Sequence, residues 1–215
     1  MAPGTLQGLF ITFEGIEGSG KSTQIQLLAE RLQAQNYTCV VTREPGGTAL
    51  AEKIRDLLLD PEHTTMSPRA ELLLYAASRN QHLHEKIIPA LERGDIVICD
   101  RFYDSTTAYQ GAGRVLEPAL IQTVTDVAVG SHRPDLTFFI DVPVAVGLDR
   151  IRQRHGQLDR LESETLDFHE RVREGYLAIA QNEPERVVLI DGMQPIPAVQ
   201  QQIYHHLTTH FPSFL

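Results

Sequence analysis

Five short apolar runs recur along the chain, at 9–13, 37–42, 96–99, 136–143 and 186–191, each continuous rather than alternating. Runs of this kind fit strands buried on both faces, as in a parallel sheet. Between them the apolar period lengthens to that of a helix, over 23–32, 49–59, 68–92, 117–129, 144–154, 164–182 and 196–207. In the second helix Leu50, Ile54, Leu57 and Leu58 form the apolar stripe, and in the sixth Phe168, Val172, Tyr176 and Ile179 do. Pro68 suits a first helical turn, Gly94 closes the same helix, and Pro89 is expected to kink its last turn. Strands alternating with helices predict an α/β fold: a five-stranded parallel sheet with helices on both faces, in a single domain over 1–215.

Composition narrows the partners without changing that architecture. With 42% hydrophobic and 22% charged residues the chain reads as an ordinary globular protein, and no apolar run reaches membrane-spanning length. The N-terminal residues lack the basic start and apolar core of a secretory signal, so the cytoplasm is the expected compartment. A net charge of −9 disfavours a nucleic-acid surface, which needs a basic stripe. Cys39 and Cys99 both sit in apolar strands and are expected as core filling.

Candidate chemistry gathers where the strands end. Gly15-Ile16-Glu17-Gly18-Ser19-Gly20-Lys21-Ser22 spells G-x-x-x-x-G-K-S between the first strand and a helix. Glycines let backbone N–H groups converge on phosphate oxygens, the lysine adds a mobile charge, and the serine hydroxyl suits Mg²⁺. The second strand ends at Arg43-Glu44-Pro45-Gly46-Gly47, and the third at Asp100-Arg101. Ligands bind at such strand ends in open α/β sheets. Asp100 suits either the magnesium side of the site or the cap of a following helix, and the two roles are compatible. Tyr75 and Arg79 are four residues apart on one helix, which places an aromatic plane beside a guanidinium, or simply a core or dimer contact. Ser105, Thr106, Tyr109 and Gln110 offer hydroxyls and an amide beside the third strand. The segment 150–164 carries Arg150, Arg152, Arg154 and Arg160; it is a solvated face or a positively charged lid, and its position between two helices favours the lid.

The combination of Phe13 to Thr23, Thr42-Arg43-Glu44-Pro45-Gly46-Gly47-Thr48, Asp100-Arg101-Phe102, Ala108-Tyr109-Gln110-Gly111 and Leu158-Asp159-Arg160 resembles the thymidylate kinases over nearly the whole chain. The resemblance implies a P-loop NTPase fold and transfer of the γ-phosphoryl group of ATP to dTMP, with Mg²⁺, in a homodimer to which Leu72, Leu73 and Leu74 contribute. It places Gly15 to Thr23 on the ATP phosphates with Lys21 catalytic, Ser22 and Asp100 on the metal, and Arg101 on the dTMP phosphate. Glu17 would face the sugar 3′-hydroxyl and Tyr75 the thymine ring, where the family commonly has phenylalanine. Arg79, Thr106 and Gln110 would read base edges; Arg43, Pro45, Arg55, Ser105 and Tyr109 would complete the acceptor pocket. No arginine lies inside the phosphate loop, so the resemblance sends the catalytic charge to the lid, with Arg154 ahead of Arg150 and Arg152. The rival readings are a kinase of the same fold for another deoxynucleotide, and a nucleotide-dependent switch; base preference and acceptor-independent hydrolysis separate them.

Overall fold

The structure, a computed structural model, describes residues 8–153 and 158–212. Five parallel strands, β1 (Leu9–Glu14), β2 (Cys39–Arg43), β3 (Ile96–Asp100), β4 (Leu136–Asp141) and β5 (Val187–Asp191), form one sheet in the order β2-β3-β1-β4-β5. The central strand β1 is buried at every position. Its two-residue period sends Leu9, Ile11 and Phe13 to one face, against Ile25, Leu28 and Leu32 of α1 (Lys21–Ala34) and Ile203 and Leu207 of α9 (Ile196–His210). Phe10, Thr12 and Glu14 take the other face, where Phe10 packs with Leu83, Ile87 and Phe102. Burying a phenylalanine such as Phe10 or Phe13 stabilises the fold by roughly 1.5–3 kcal/mol relative to exposing it. The same alternation puts the Glu14 carboxylate under the ligand-binding edge.

One strand departs from the sequence expectation. β2 is an edge strand, not one buried on both faces: Val41 is 45% exposed and Cys39 only half-buried. A strand at the sheet's margin has one neighbour and incomplete cover, which an apolar run does not reveal. Cys99, in the inner strand β3, is fully buried as expected.

Among the helices, α2 (Ala49–Leu59) is capped by the Thr48 hydroxyl, and α3 (Pro68–His82) by that of Ser67 with Pro68 in its first turn. The long helix predicted over 68–92 is interrupted by a π-helical turn at Leu83–Ile87 before α4 (Ile88–Glu92). Pro89 lacks an N–H and its ring crowds the carbonyl four residues back, so the irregularity falls one turn ahead of the proline. The stripe expected for α2 divides: Leu58 is buried, Ile54 is partly buried, and Leu50 and Leu57 are half-exposed. A short helix, α5 (Tyr103–Thr106), continues into a π-helical turn at Thr107–Gly113, in a stretch whose hydroxyls and glycines gave no helical period. Helices α6 (Pro118–Val129), α7 (Val144–Arg152) and α8 (Leu166–Asn182) complete the described order, with Phe168, Val172, Tyr176 and Ile179 all buried on α8.

Candidate active site

A cleft of about 410 Å³ opens above the C-terminal ends of β1, β2 and β3. On one side the glycine-rich loop turns from β1 into α1. Gly20 caps that helix in a left-handed conformation, φ 101°, with no side chain on the first-turn amides. The N–H groups of Lys21, Ser22 and Thr23, all of which line the cleft, therefore have no partner among the described residues, the arrangement that binds anions. Gly18 also has positive φ, and a Cβ there would stand 2.3 Å from the Gly147 carbonyl oxygen, so the loop rests directly on α7. Lys21 folds back into the loop, its Nζ donating to the carbonyls of Gly15 at 3.0 Å and Ile16 at 2.9 Å. Burial, reinforced by the Arg101 charge, lowers its ammonium to about 8 despite the opposing pull of Asp100, Glu17 and Glu14. The Ser22 hydroxyl donates to Asp100 Oδ2 at 3.2 Å, and both residues line the cleft. Asp100 does not cap α5, whose N-cap residue is Phe102. One hydroxyl and one carboxylate make too few donors for an all-protein cage, but suit a hydrated Mg²⁺ carried on substrate phosphates.

Opposite the loop, Arg101 occupies a left-handed backbone conformation with φ 73°. Its Nη2 donates to Glu17 Oε1 at 3.0 Å, and its Nη1 to the hydroxyls of Tyr176 at 3.0 Å and Ser105 at 3.3 Å. Tyr109 donates to the same Glu17 oxygen at 2.6 Å while its ring lies 5.0 Å from the guanidinium carbon. Burial pushes the Glu17 carboxyl up, but Arg101, Lys21 and the Tyr109 hydrogen bond outweigh it and leave the group below its ordinary range. The second oxygen, Glu17 Oε2, is buried and makes no hydrogen bond among the described residues.

Behind this layer lie ion pairs that fix the rest of the wall. Arg79 is 1% exposed and spends three donors internally, on Glu44 Oε2 at 2.7 Å, Thr106 Oγ1 at 2.8 Å and the Phe102 carbonyl at 3.0 Å. The other Glu44 oxygen meets His82 Nδ1 at 3.0 Å, and His82 Nε2 meets Thr42 Oγ1 at 2.7 Å. Gln110 donates to Glu71, which also receives Arg114 and Arg160. Tyr75, Arg55, Pro45, Ser105 and Thr106 line the cleft, Arg55 tied to the Pro45 carbonyl at 2.9 Å.

Not every predicted residue converges. Arg43 is absent from the cleft lining and pairs with Glu52 at 3.0 Å, its side chain 53% exposed, because it points outward from the edge strand. Gly15 and Ile16 contribute carbonyls to Lys21 rather than surface to the cleft. Of the lid arginines, Arg150 donates to the Gly18 carbonyl at 3.0 Å and lines the cleft. Arg152 pairs with Asp149 in solvent. Arg154 lies outside the described residues. Asp159, Leu161 and Glu162 border the cleft, and Arg160 anchors that segment to the Leu58 carbonyl and Glu71. The sequence reading gave no role to Glu14, Glu71 or His82, and placed Tyr176 only in an apolar stripe. Glu14 carried a signal, a carboxylate ending a continuous apolar strand, as Asp100 does; Glu71 and His82 carried none, since only their tertiary partners distinguish them.

The same arrangement can be set against known proteins. The thymidylate kinase family model matches residues 13–203. A thymidylate kinase of Pelobacter propionicus is 51% identical over 201 residues, covering 91% of this chain and 92% of its own. One from Pseudomonas fluorescens is 54% identical over 198 residues, 92% of this chain and 94% of its own. The crystal structure of thymidylate kinase from Ehrlichia chaffeensis superposes with a TM-score of 0.75 at 39% identity, covering 94% of this chain and 98% of that one. A match that begins in β1, ahead of the phosphate loop, and ends in α9 takes in both walls of the cleft, and on it the chain belongs to the thymidylate kinase family.

Proposed function

We propose that this cleft transfers the γ-phosphoryl group of ATP to dTMP, giving ADP and dTDP. The observation that carries the reading is the ion pair by which Arg101, just past the end of β3, faces Glu17 of the phosphate loop across the cleft, which favours a two-substrate site over a nucleotide pocket alone. Phosphoryl transfer asks for in-line positioning and neutralised charge more than for covalent help. In this reading Lys21 leaves the Gly15 and Ile16 carbonyls for the phosphates of ATP, joined by the α1 amides. Ser22 and Asp100 would hold a hydrated Mg²⁺, which would supply neutralisation of the phosphate charge. Arg101 grips the dTMP phosphate, and Glu17, whose Oε2 makes no hydrogen bond among the described residues and lies 3.9 Å from His169 Nδ1, accepts the sugar hydroxyl. Tyr75 stacks on the thymine; Thr106, Gln110 and Arg79 face its edge.

The segment 150–164 acts as the lid of a single 1–215 domain. Arg154 remains its first candidate for transition-state charge, and Arg150 the alternative that already touches the loop. A homodimer is supported by exposed leucines on adjoining helices, Leu50 and Leu57 on α2 and Leu73 on α3, with Val127 on α6. Leu72 is buried within the chain and Leu74 partly so; of the three leucines, Leu73 alone is exposed. Two free thiols, Cys39 and Cys99, suit the reducing cytoplasm.

The test is coupled ADP formation over a panel of nucleoside monophosphates. Turnover is expected with dTMP; equal turnover of dCMP or dGMP sinks the substrate assignment, and ADP release without any acceptor favours a switch. Arg154→Ala is expected to lower kcat far more than it raises KM for dTMP. Near-normal turnover of that variant moves the role to Arg150.

A further inference from the structure

Glu14 ends β1 with its side chain fully buried, on the face of the sheet below Arg101. It holds that arginine at both ends. Oε1 accepts the N–H of Phe102 at 2.6 Å, the peptide immediately after the left-handed Arg101. Such a backbone conformation is strained for a non-glycine residue and persists only where its surroundings fix it. Oε2 accepts the hydroxyls of Ser105 at 2.6 Å and Tyr176 at 2.8 Å. These are the two hydroxyls on which Arg101 Nη1 rests.

The direction of these hydrogen bonds matters. A hydroxyl has one proton; when it goes to the carboxylate, the oxygen is left as an acceptor for the guanidinium. The two hydroxyls also lie 2.8 Å from each other, so with Glu14 ionised each proton goes to the carboxylate or to the neighbouring hydroxyl, and both oxygens keep a lone pair for Arg101. We infer that Glu14 is a positioning residue for the acceptor's phosphate: acting through Ser105 and Tyr176, it presents the Arg101 guanidinium to the incoming monophosphate. This rests on the proposed role of Arg101 and adds to it the source of its orientation.

Glu14→Gln tests the inference with almost no change in shape. The Phe102 N–H requires an oxygen at the Oε1 position, so the amide nitrogen falls where Oε2 was. There it donates to Ser105 and Tyr176 and forces a hydroxyl proton toward Arg101 Nη1, itself a donor. The expected result is a rise in KM for dTMP of about tenfold or more, with kcat and KM for ATP within about threefold of wild type. The melting temperature at pH 8 is expected to stay at or above that of the wild type. Tyr176→Phe should raise the same KM less, and in the double variant the glutamine effect should shrink, because one of the misdirected hydroxyls is gone. An unchanged KM for dTMP overturns the inference. So does a joint decline of kcat, both KM values and melting temperature, which would make Glu14 a support of the fold alone. Strictly additive Tyr176 and Glu14 effects overturn the hydroxyl relay. A wild-type enzyme without dTMP-dependent ADP formation overturns the functional reading beneath it instead, and that result is read before any variant is made.

Discussion

The two walls of the cleft are built by different means. One wall, the proposed donor side, is a single contiguous stretch ending at Thr23, in which glycine geometry and the start of α1 leave backbone N–H groups at the cleft. The facing wall draws Glu14, Glu44, Arg79, Arg101, Ser105, Tyr109 and Tyr176 from widely separated segments into buried polar contacts, and Glu17 of the loop joins it through Arg101 and Tyr109. A backbone cradle tolerates loss of one side chain without unfolding. A side-chain network inside the protein transmits the loss, since each broken pair strands a buried charge.

The strongest way to sharpen that contrast is Lys21→Ala. It should reduce kcat by about a thousandfold or more, as expected for removal of a charge aimed at the transferring group, yet leave the urea midpoint near that of wild type. On the other wall, Glu44→Gln breaks a pair whose side chains are each 2% exposed. Equilibrium urea unfolding should show a loss of about 3–5 kcal/mol, accompanied by a weaker KM for dTMP. If Glu44→Gln proves as neutral to stability as Lys21→Ala, the two walls do not differ as described.

A smaller effect separates the lid arginines. Arg150 contacts the Gly18 carbonyl, whereas among the described residues Arg152 pairs with Asp149 in solvent, so Arg150→Ala should lower kcat by about tenfold and Arg152→Ala should not change it measurably. Steady-state kinetics of the two purified variants decides this.

The smallest expected effect is one of pH. Burial, with the charge of Asp104 added, raises Glu14 to about 7, against the opposing pull of Arg101 and its hydrogen bonds from Ser105 and Phe102. Arg101 and Asp104 from the segment after β3 are the charges that act on it, and its own charge acts on Lys21 of α1, Tyr176 of α8 and Cys99 of β3. Above pH 7 the carboxylate accepts from the hydroxyls; below it Glu14 carries its own proton. The KM for dTMP should therefore rise a few-fold between pH 8 and pH 6. The substrate phosphate titrates nearby, at about 6, so Glu14→Gln serves as the control in which the protein's share of the step is absent. The linked stability has the opposite sense. The folded chain holds this proton up to about 7 while an unfolded glutamate releases it near 4.5, so the group's contribution to stability falls as pH rises through that window. Thermal melts of wild type against Glu14→Gln from pH 4.5 to 8 should show the variant gaining ground.

What was legible without coordinates follows the same division. Local rules identified the sheet strands, the phosphate loop, the Pro68 helix start and the α8 stripe, because each depends on neighbours within a few residues. They failed where the answer depended on cover or pairing. An apolar run does not say whether it lies at the sheet's edge, as β2 does, and the exposed Leu50 and Leu57 look in sequence like the buried Leu58. Arg43 and Arg101 each follow or end a strand, yet one faces solvent and the other the cleft.

By itself, then, the sequence determined a glycine-rich turn from the first strand of an α/β sheet into a helix, since glycine spacing and a helix start are properties of contiguous chain. Only the tertiary structure decided how the facing arginine is held. Arg101 is aimed by Glu14, Glu17, Ser105, Tyr109 and Tyr176, brought together by β1, α5 and α8 packing over the turn at 107–113. Hydrogen-bond direction and ion pairing act over about 3 Å, and sequence order carries no record of which distant residues come that close.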